Sequence, residues 1–395
     1  MTHLRTRSVH AGQQPDPGTG AIATPINQTT AFGYGTLEHG AAIFAGEAPG
    51  YRYSRFANPT VAALEAKMAD LEGASAAVAF SSGTAATSSV LLGLLKPGDE
   101  IAFLGPLYGG TEGLFRSLGE RFGIRAVDAT QTGLAARLTP ATRMVWVETL
   151  TNPGLCLHDL VEVAAIARAH GALTVADNTF CTPCLTRPLE FGIDLVLHSM
   201  TKYLGGHGDA TGAIVAGSAA LIAQVRNTGL GHVGGNLSPQ EAFLFLRGIK
   251  TLPLRMAAHC DGAAAVAHFL ADHPAVRAVH YPGLASHPQH ALALRLLQGG
   301  FGGMVTFELQ RRERTAAAAV LNALRLFTQA VSLGDVDSLA CHPASTTHSF
   351  VSPEARRQNG ISEGMIRLSI GIEHPDDLIA DLEQALQYVD ERSRP

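Results

Sequence analysis

Ser199-Met200-Thr201-Lys202-Tyr203-Leu204-Gly205-Gly206-His207-Gly208 is the stretch whose reading decides the fold. It follows an apolar run, Asp194-Leu195-Val196-Leu197-His198, that reads as a short buried strand. Lysine is costly to bury, so one placed between hydroxyls and glycines at a strand end avoids an apolar pocket unless chemistry uses its amine. The same residues also suit a surface lysine in a glycine-rich turn, and the surrounding chain has to decide. Upstream, Asn58-Pro59-Thr60 opens a helix with Val61, Leu64, Met68 and Leu71 on one face, ended by Gly73. Strands are predicted over 76–80, 100–104, 124–129, 144–148 and 173–176. They alternate with helices running to Leu95 and over 111–121 and 159–170. Such alternation with short turns predicts an α/β layer with a mostly parallel sheet. Ligands bind at the C-terminal ends of such strands, where Tyr108, Asn152, Asp177 and the Ser199–Lys202 set all fall.

Beyond Thr251 the pattern changes. A helix over 256–271, a strand over 302–309, a helix over 314–327, a strand over 365–370 and a helix over 376–389 predict a smaller α+β unit. Residues 1–55, rich in Gly, Pro, Thr and Gln, read as an extended arm. The expected organisation is an arm (1–55), a large domain (56–250) and a C-terminal domain (251–395).

Of the 395 residues, 46% are hydrophobic and only 16% charged, which predicts surface buried between subunits as well as in cores. The net charge of −5, with no basic block, disfavours nucleic-acid binding. No apolar run has the length of a membrane span, and Met1-Thr2-His3-Leu4-Arg5 lacks the apolar core of a signal peptide. A cytoplasmic location is expected. Five cysteines, an odd number, fit a reducing compartment. Cys181-Thr182-Pro183-Cys184 has no second pair beside it, so no metal site is expected.

One cofactor, pyridoxal 5′-phosphate (PLP), accounts for the deciding stretch. The Lys202 amine would form a Schiff base with its aldehyde, Ser199 and Thr201 would reach its phosphate, and the glycines would let the backbone close in. Ser81-Ser82-Gly83-Thr84 joins a strand to a helix, and that turn is a second anion site, although an ordinary N-cap serine reads the same way. Asp177 ends a buried strand 25 residues before Lys202 (202 − 177). It can cap a turn, or it can keep a pyridine nitrogen protonated, which PLP needs to act as an electron sink. Tyr108, followed by Gly109-Gly110, can stack on a flat cofactor and trade a proton, or be a plain loop tyrosine. Arg367 lies inside the apolar strand 365–370 and needs an anion, either a structural partner or an amino acid's α-carboxylate. The dinucleotide glycine fingerprint, the phosphate-loop lysine, the serine elbow and the zinc helix motif are absent from the sequence.

With those residues in hand, the chain resembles the PLP-dependent trans-sulfuration (Cys/Met metabolism) enzymes, and within them the methionine γ-lyase branch. The resemblance rests on Tyr51-Arg52-Tyr53-Ser54-Arg55 with Asn58-Pro59-Thr60, on Glu148-Thr149 with Asn152-Pro153, and on Asp177-Asn178-Thr179. It also rests on Ser199-Met200-Thr201-Lys202-Tyr203 and on His342-Pro343-Ala344-Ser345 with Thr347-His348. The likeness runs from Ser8 to the last helix. It implies a PLP-transferase-like fold of the aspartate aminotransferase type, with a mostly parallel seven-stranded sheet in the large domain. It implies Lys202 as Schiff-base lysine and proton shuttle, Asp177 on the pyridine nitrogen, and Tyr108 stacked on the ring and aiding the leaving group. Ser82, Gly83, Thr84, Ser199 and Thr201 would bind the phosphate, with Tyr53 and Arg55 arriving from the adjacent subunit. That makes a homodimer obligatory and a tetramer expected. Asn152, Ser332 and Arg367 would receive the substrate carboxylate.

The markers within the family diverge. Gly110 stands where methionine γ-lyases carry a cysteine, and no lysine lies near Leu230-Gly231. Val331, before Ser332-Leu333-Gly334, matches the methionine lyases where cystathionine enzymes place a glutamate. The expected reaction is γ-elimination, turning L-methionine into methanethiol, 2-oxobutyrate and ammonia. The rivals are a cystathionine γ-lyase, and γ-replacement as in cystathionine γ-synthase or O-acetylhomoserine sulfhydrylase. From another class, a catalytically silent PLP-fold binding protein would keep the scaffold without the chemistry.

Overall fold

The computed structural model describes residues 3–349 and 351–391, so the first two residues of the expected arm and the last four of the expected C-terminal unit lie outside it. Seven strands form the larger sheet: β1 Ala76–Phe80, β2 Glu100–Leu104, β3 Arg125–Asp128, β4 Thr142–Glu148, β5 Leu173–Asp177, β6 Leu195–Ser199 and β7 Ala213–Gly217. Their order is β1-β7-β6-β5-β4-β2-β3. Pairings from β3 through β6 are parallel, while β7 runs antiparallel to both β6 and β1. Strands covered on both faces need no polar side, and the continuous run Met144-Val145-Trp146-Val147 is fully buried. The register sets Glu148 opposite Asp177 and Asp177 opposite Leu197, so β4, β5 and β6 end at one edge.

Local chemistry holds the helices that feed this edge. In the helix Pro59–Glu72, Asn58 caps the Thr60 N–H at 3.0 Å, proline sits in the first turn, and Gly73 closes the end at φ 74°. The helix Gly83–Leu94 starts directly after β1, and the Ser82 hydroxyl accepts from the Ala85 N–H at 3.1 Å.

The second sheet follows the order β10-β11-β12-β9-β8, with β8 Val276–His280, β9 Met304–Leu309, β10 Thr328–Gln329, β11 Leu339–Cys341 and β12 Met365–Ser369. The 21-residue helix Leu252–Asp272 joins the two cores. Its Leu252, Met256 and Cys260 pack with the large-sheet core; Ala263, Val266, Ala267 and Leu270 pack with the small-sheet core. No helix among the described residues is long and apolar enough to cross a membrane.

Two stretches differ from the sequence reading. The arm is not wholly extended: it contains the helices Leu4–His10 and Leu37–Ala45. The first is held by contacts that no local pattern announces. Arg7 Nε donates to Asp70 Oδ1 at 2.8 Å, and Lys67 Nζ donates to the Ser8 carbonyl at 2.8 Å. The helix expected over 314–327 stops at Ala323, and Thr328–Gln329 becomes an edge strand. There Asp381 collects the backbone N–H groups of Arg325 at 2.9 Å and Leu326 at 2.8 Å. A carboxylate from the final helix thus ends this one.

Candidate active site

A cavity of about 540 Å³ lies where the strand ends of the large sheet meet the small sheet. Gly83, Thr84, Tyr108, Asn152, Asp177, Ser199, Thr201, Lys202, Ser332 and Arg367 all line it. They arrive from widely separated stretches: the strand ends of the large sheet gather most of them, while Ser332 and Arg367 come from the small-sheet side. Lys202 follows β6, and its Nζ donates to Ser332 Oγ at 3.1 Å. Burial, and next the Arg367 guanidinium, hold its amine below the usual lysine range; Asp335 opposes this.

Asp177 is fixed from the side. One of its oxygens accepts the Thr179 hydroxyl at 2.5 Å and the Thr179 N–H at 3.0 Å. The same Thr179 hydroxyl oxygen accepts the Ser199 N–H at 2.8 Å, so one threonine sets the spacing between Asp177 and the phosphate-side serine. Thr179 was legible only as the third residue of an Asp-x-Thr turn. Burial pushes the Asp177 carboxyl up, and the Thr179 hydrogen bonds hold it back.

Arg367 sits mid-strand in β12 and is 2% exposed. One arm donates to Asn152 Oδ1 at 3.0 Å, the other to the carbonyls of Val331 at 2.9 Å and Ser332 at 3.2 Å. Its Nε has no partner, and no carboxylate lies within ion-pair distance among the described residues. A buried guanidinium without a counter-ion is a site for an anion.

PLP fits these residues. The cavity offers a carboxylate without a cationic partner at Asp177, a lysine without an anionic hydrogen-bond partner, and a helix N-terminus at Gly83–Thr84. Those are the complements of a protonated ring nitrogen, an aldehyde and a phosphate. The glycines after Lys202 act elsewhere than the sequence suggested. Gly206, at φ 73°, is packed against the Arg255 guanidinium, which donates to the Tyr203 carbonyl at 2.7 Å, and Gly205, Gly206 and Gly208 do not line the cavity.

Three residues marked in the sequence stand outside the cavity lining. Ser82 spends its hydroxyl on the helix cap. Tyr53 is exposed, and Arg55 donates to the carbonyls of Leu230 at 3.0 Å and Gly231 at 2.8 Å. Conversely, Leu114, Phe180 and Thr346 line it without any sequence signal, and Leu333 and Thr347, marked only as members of longer motifs, line it too. Gly110 also lines it, and a Cβ there would collide with the Tyr108 ring, so the ring's place depends on that glycine.

The profile of the family described as Cys/Met metabolism PLP-dependent enzyme matches residues 5–387. The chain is 52% identical over 387 residues to an L-methionine gamma-lyase of Pseudomonas putida, covering 97% of this chain and 96% of that protein. It is 43% identical over 390 residues to a cystathionine beta-lyase of Coxiella burnetii, covering 98% of each. Among solved structures, a cystathionine gamma synthase from Xanthomonas oryzae pv. oryzae, in complex with aminoacrylate and cysteine, superposes with a TM-score of 0.93 at 40% identity and covers 99% of both chains.

Proposed function

The chain belongs to the Cys/Met metabolism PLP-dependent enzymes, and from that premise we propose that it is a lyase cleaving a sulfur amino acid by γ-elimination, with L-methionine as substrate. Methionine and water would give methanethiol, 2-oxobutyrate and ammonia. The observation that carries this reading is Arg367, a buried guanidinium without a counter-ion, in one cavity with Lys202.

The coenzyme, when bound, supplies an electron sink that makes carbanions at Cα and Cβ accessible. Lys202 would hold it, with Asp177 facing its ring nitrogen, Tyr108 over its face, and Gly83, Thr84, Ser199 and Thr201, which line the cavity, around its phosphate. Tyr53 and Arg55 stand outside their own chain's cavity, which supports their serving the phosphate site of a neighbouring subunit. Arg367, Asn152 and Ser332 bind the α-carboxylate and so aim the Cα hydrogen at the Lys202 amine. Burial lowers the proton affinity of that amine, leaving more of it free to take the Cα proton and then a Cβ proton. The Tyr108 hydroxyl gives a proton to the departing sulfur. Val331 at the mouth, apolar and 58% exposed, suits a methylthio tail and offers no charge to a distal ammonium.

The second reading, replacement at Cγ, draws on the likeness to a cystathionine gamma synthase among the solved structures. The holoenzyme is to be assayed on methionine, cystathionine, homocysteine and O-acetylhomoserine, following 2-oxo acid and thiol. Equal amounts of 2-oxobutyrate and methanethiol from methionine alone are expected. Turnover only when an O-acylhomoserine is supplied with sulfide or cysteine would overturn the lyase reading in favour of replacement.

A further inference from the structure

The cavity holds a second buried carboxylate that the reaction above does not use. Glu148 is the last residue of β4, is 5% exposed, and lines the cavity beside Asp177, its register partner on β5. Its Oε1 accepts the backbone N–H of Tyr108 at 2.5 Å. Tyr108 opens the helix Gly109–Phe122 but provides no side-chain cap of its own. The loop before it is therefore held by two carboxylates: Glu112 Oε1, from the helix's own first turn, takes the Leu107 N–H at 3.2 Å, and Glu148, from β4, takes the next one. One side chain thus ties the loop of the ring-stacking tyrosine to the end of β4, beside Asp177.

Two carboxylates side by side in a low-dielectric site repel when both are ionised. Burial, and then Asp177, push the Glu148 carboxyl well up; Glu112 adds to this, and His198 acts on Asp177 in the opposite sense. A cation held by Asp177 removes the repulsion. That favours ionisation of Glu148 against the burial that opposes it, and a carboxylate accepts an N–H more strongly than a carboxyl group does.

Resting on the reading above, we propose that Glu148 is a positioning residue that couples a positive charge held at Asp177 to the order of the Tyr108 loop. Binding of the coenzyme through its ring nitrogen tightens the Glu148 tether to the Tyr108 N–H, so the stacking residue is fixed only after the ring is in place.

The test uses hydrogen exchange of the peptide containing Tyr108 and needs no turnover. The wild-type chain and Glu148→Gln are each loaded with PLP or with a carbocyclic analogue that lacks the ring nitrogen. Both ligands shield the peptide alike, so the nitrogen is the only variable. In the wild type, exchange at Tyr108 should be about tenfold slower with PLP than with the analogue. In Glu148→Gln, which keeps an acceptor but cannot ionise, the two ligands should give equal exchange. Equal exchange in the wild type overturns the proposal, as does an undiminished difference in Glu148→Gln. Thermal unfolding of both unloaded chains checks that the variant folds. Should it not fold, Glu148→Met, of similar length and likewise unable to ionise, carries the same comparison with the same two outcomes. If the lyase reading fails while the exchange difference stands, the coupling survives as a property of the cofactor site alone.

Discussion

At the scale of single residues, the site is an exercise in leaving charges deliberately unpaired. Arg367 has three protein oxygens on its two arms and no carboxylate, so its charge is balanced only when an anion enters. The planar fork is what lets it hold Asn152, two carbonyls and an incoming carboxylate at once, and a lysine cannot repeat that geometry. Arg367→Lys should therefore raise KM for the amino acid roughly thirtyfold, about 2 kcal/mol of lost binding, with a much smaller drop in kcat. Steady-state kinetics with a fixed excess of PLP separates the two constants. A fall in kcat with KM unchanged would mean that the guanidinium does not hold the substrate. Of the residues marked from the sequence, those at strand ends share the cavity, because a parallel sheet delivers every strand end to one edge. Thr179 and Glu148 were not legible as site residues. Their work consists of hydrogen bonds to backbone groups of other loops, and the sequence shows such bonds only as a threonine in a turn and an acid at a strand end.

At the scale of elements, local chemistry explains what was readable. Capping residues, helix-ending glycines and apolar runs mark the helix Pro59–Glu72 and strands β1, β2, β4, β5 and β6 to within two residues. Elements held by tertiary contacts were not readable. The strand β7 is five small or branched residues between glycine-rich loops, and its antiparallel place between β6 and β1 has no sequence mark. The helix Leu4–His10 depends on Arg7 and on Lys67, whose ammonium is buried against the Ser8 carbonyl. Burial, and next the nearby Lys250, pull the Lys67 pKa down to about 8, with Asp70 opposing. The folded value lies below the ordinary lysine value of 10.5, so the unfolded chain holds this proton more tightly. The stability attributable to Lys67 is therefore complete above the unfolded value and is lost as the pH falls through the folded one. Relative to Lys67→Met, the wild type should gain up to about 3 kcal/mol between pH 8 and 10.5. Urea unfolding of both proteins across that range measures it. A difference that is flat with pH would show that the ammonium is not desolvated in the fold.

At the scale of the whole molecule, the position of the arm bears on which chain's cavity it serves. Tyr53 and Arg55 carry the character of a phosphate site, a phenol and a guanidinium, yet in their own chain they stand away from the cavity, near Leu230 and Gly231. If they complete the site of a neighbouring subunit, each cavity draws Lys202 from one chain and Arg55 from another, and the two residues should complement in trans. Lys202→Ala and Arg55→Ala, each inactive by itself, are to be mixed, dissociated and reassembled. Half of the resulting dimers are hybrids. In each hybrid, the Arg55→Ala chain keeps its own lysine and borrows a sound arginine, while the opposite cavity lacks both groups. One site in two is then intact, and the mixture should recover about a quarter of wild-type activity by random pairing. If Arg55 serves its own chain instead, every cavity in the hybrid lacks one group or the other and no activity returns. Activity staining after native electrophoresis, with one variant carrying a charge tag, assigns the recovered turnover to the hybrid band and distinguishes the two arrangements.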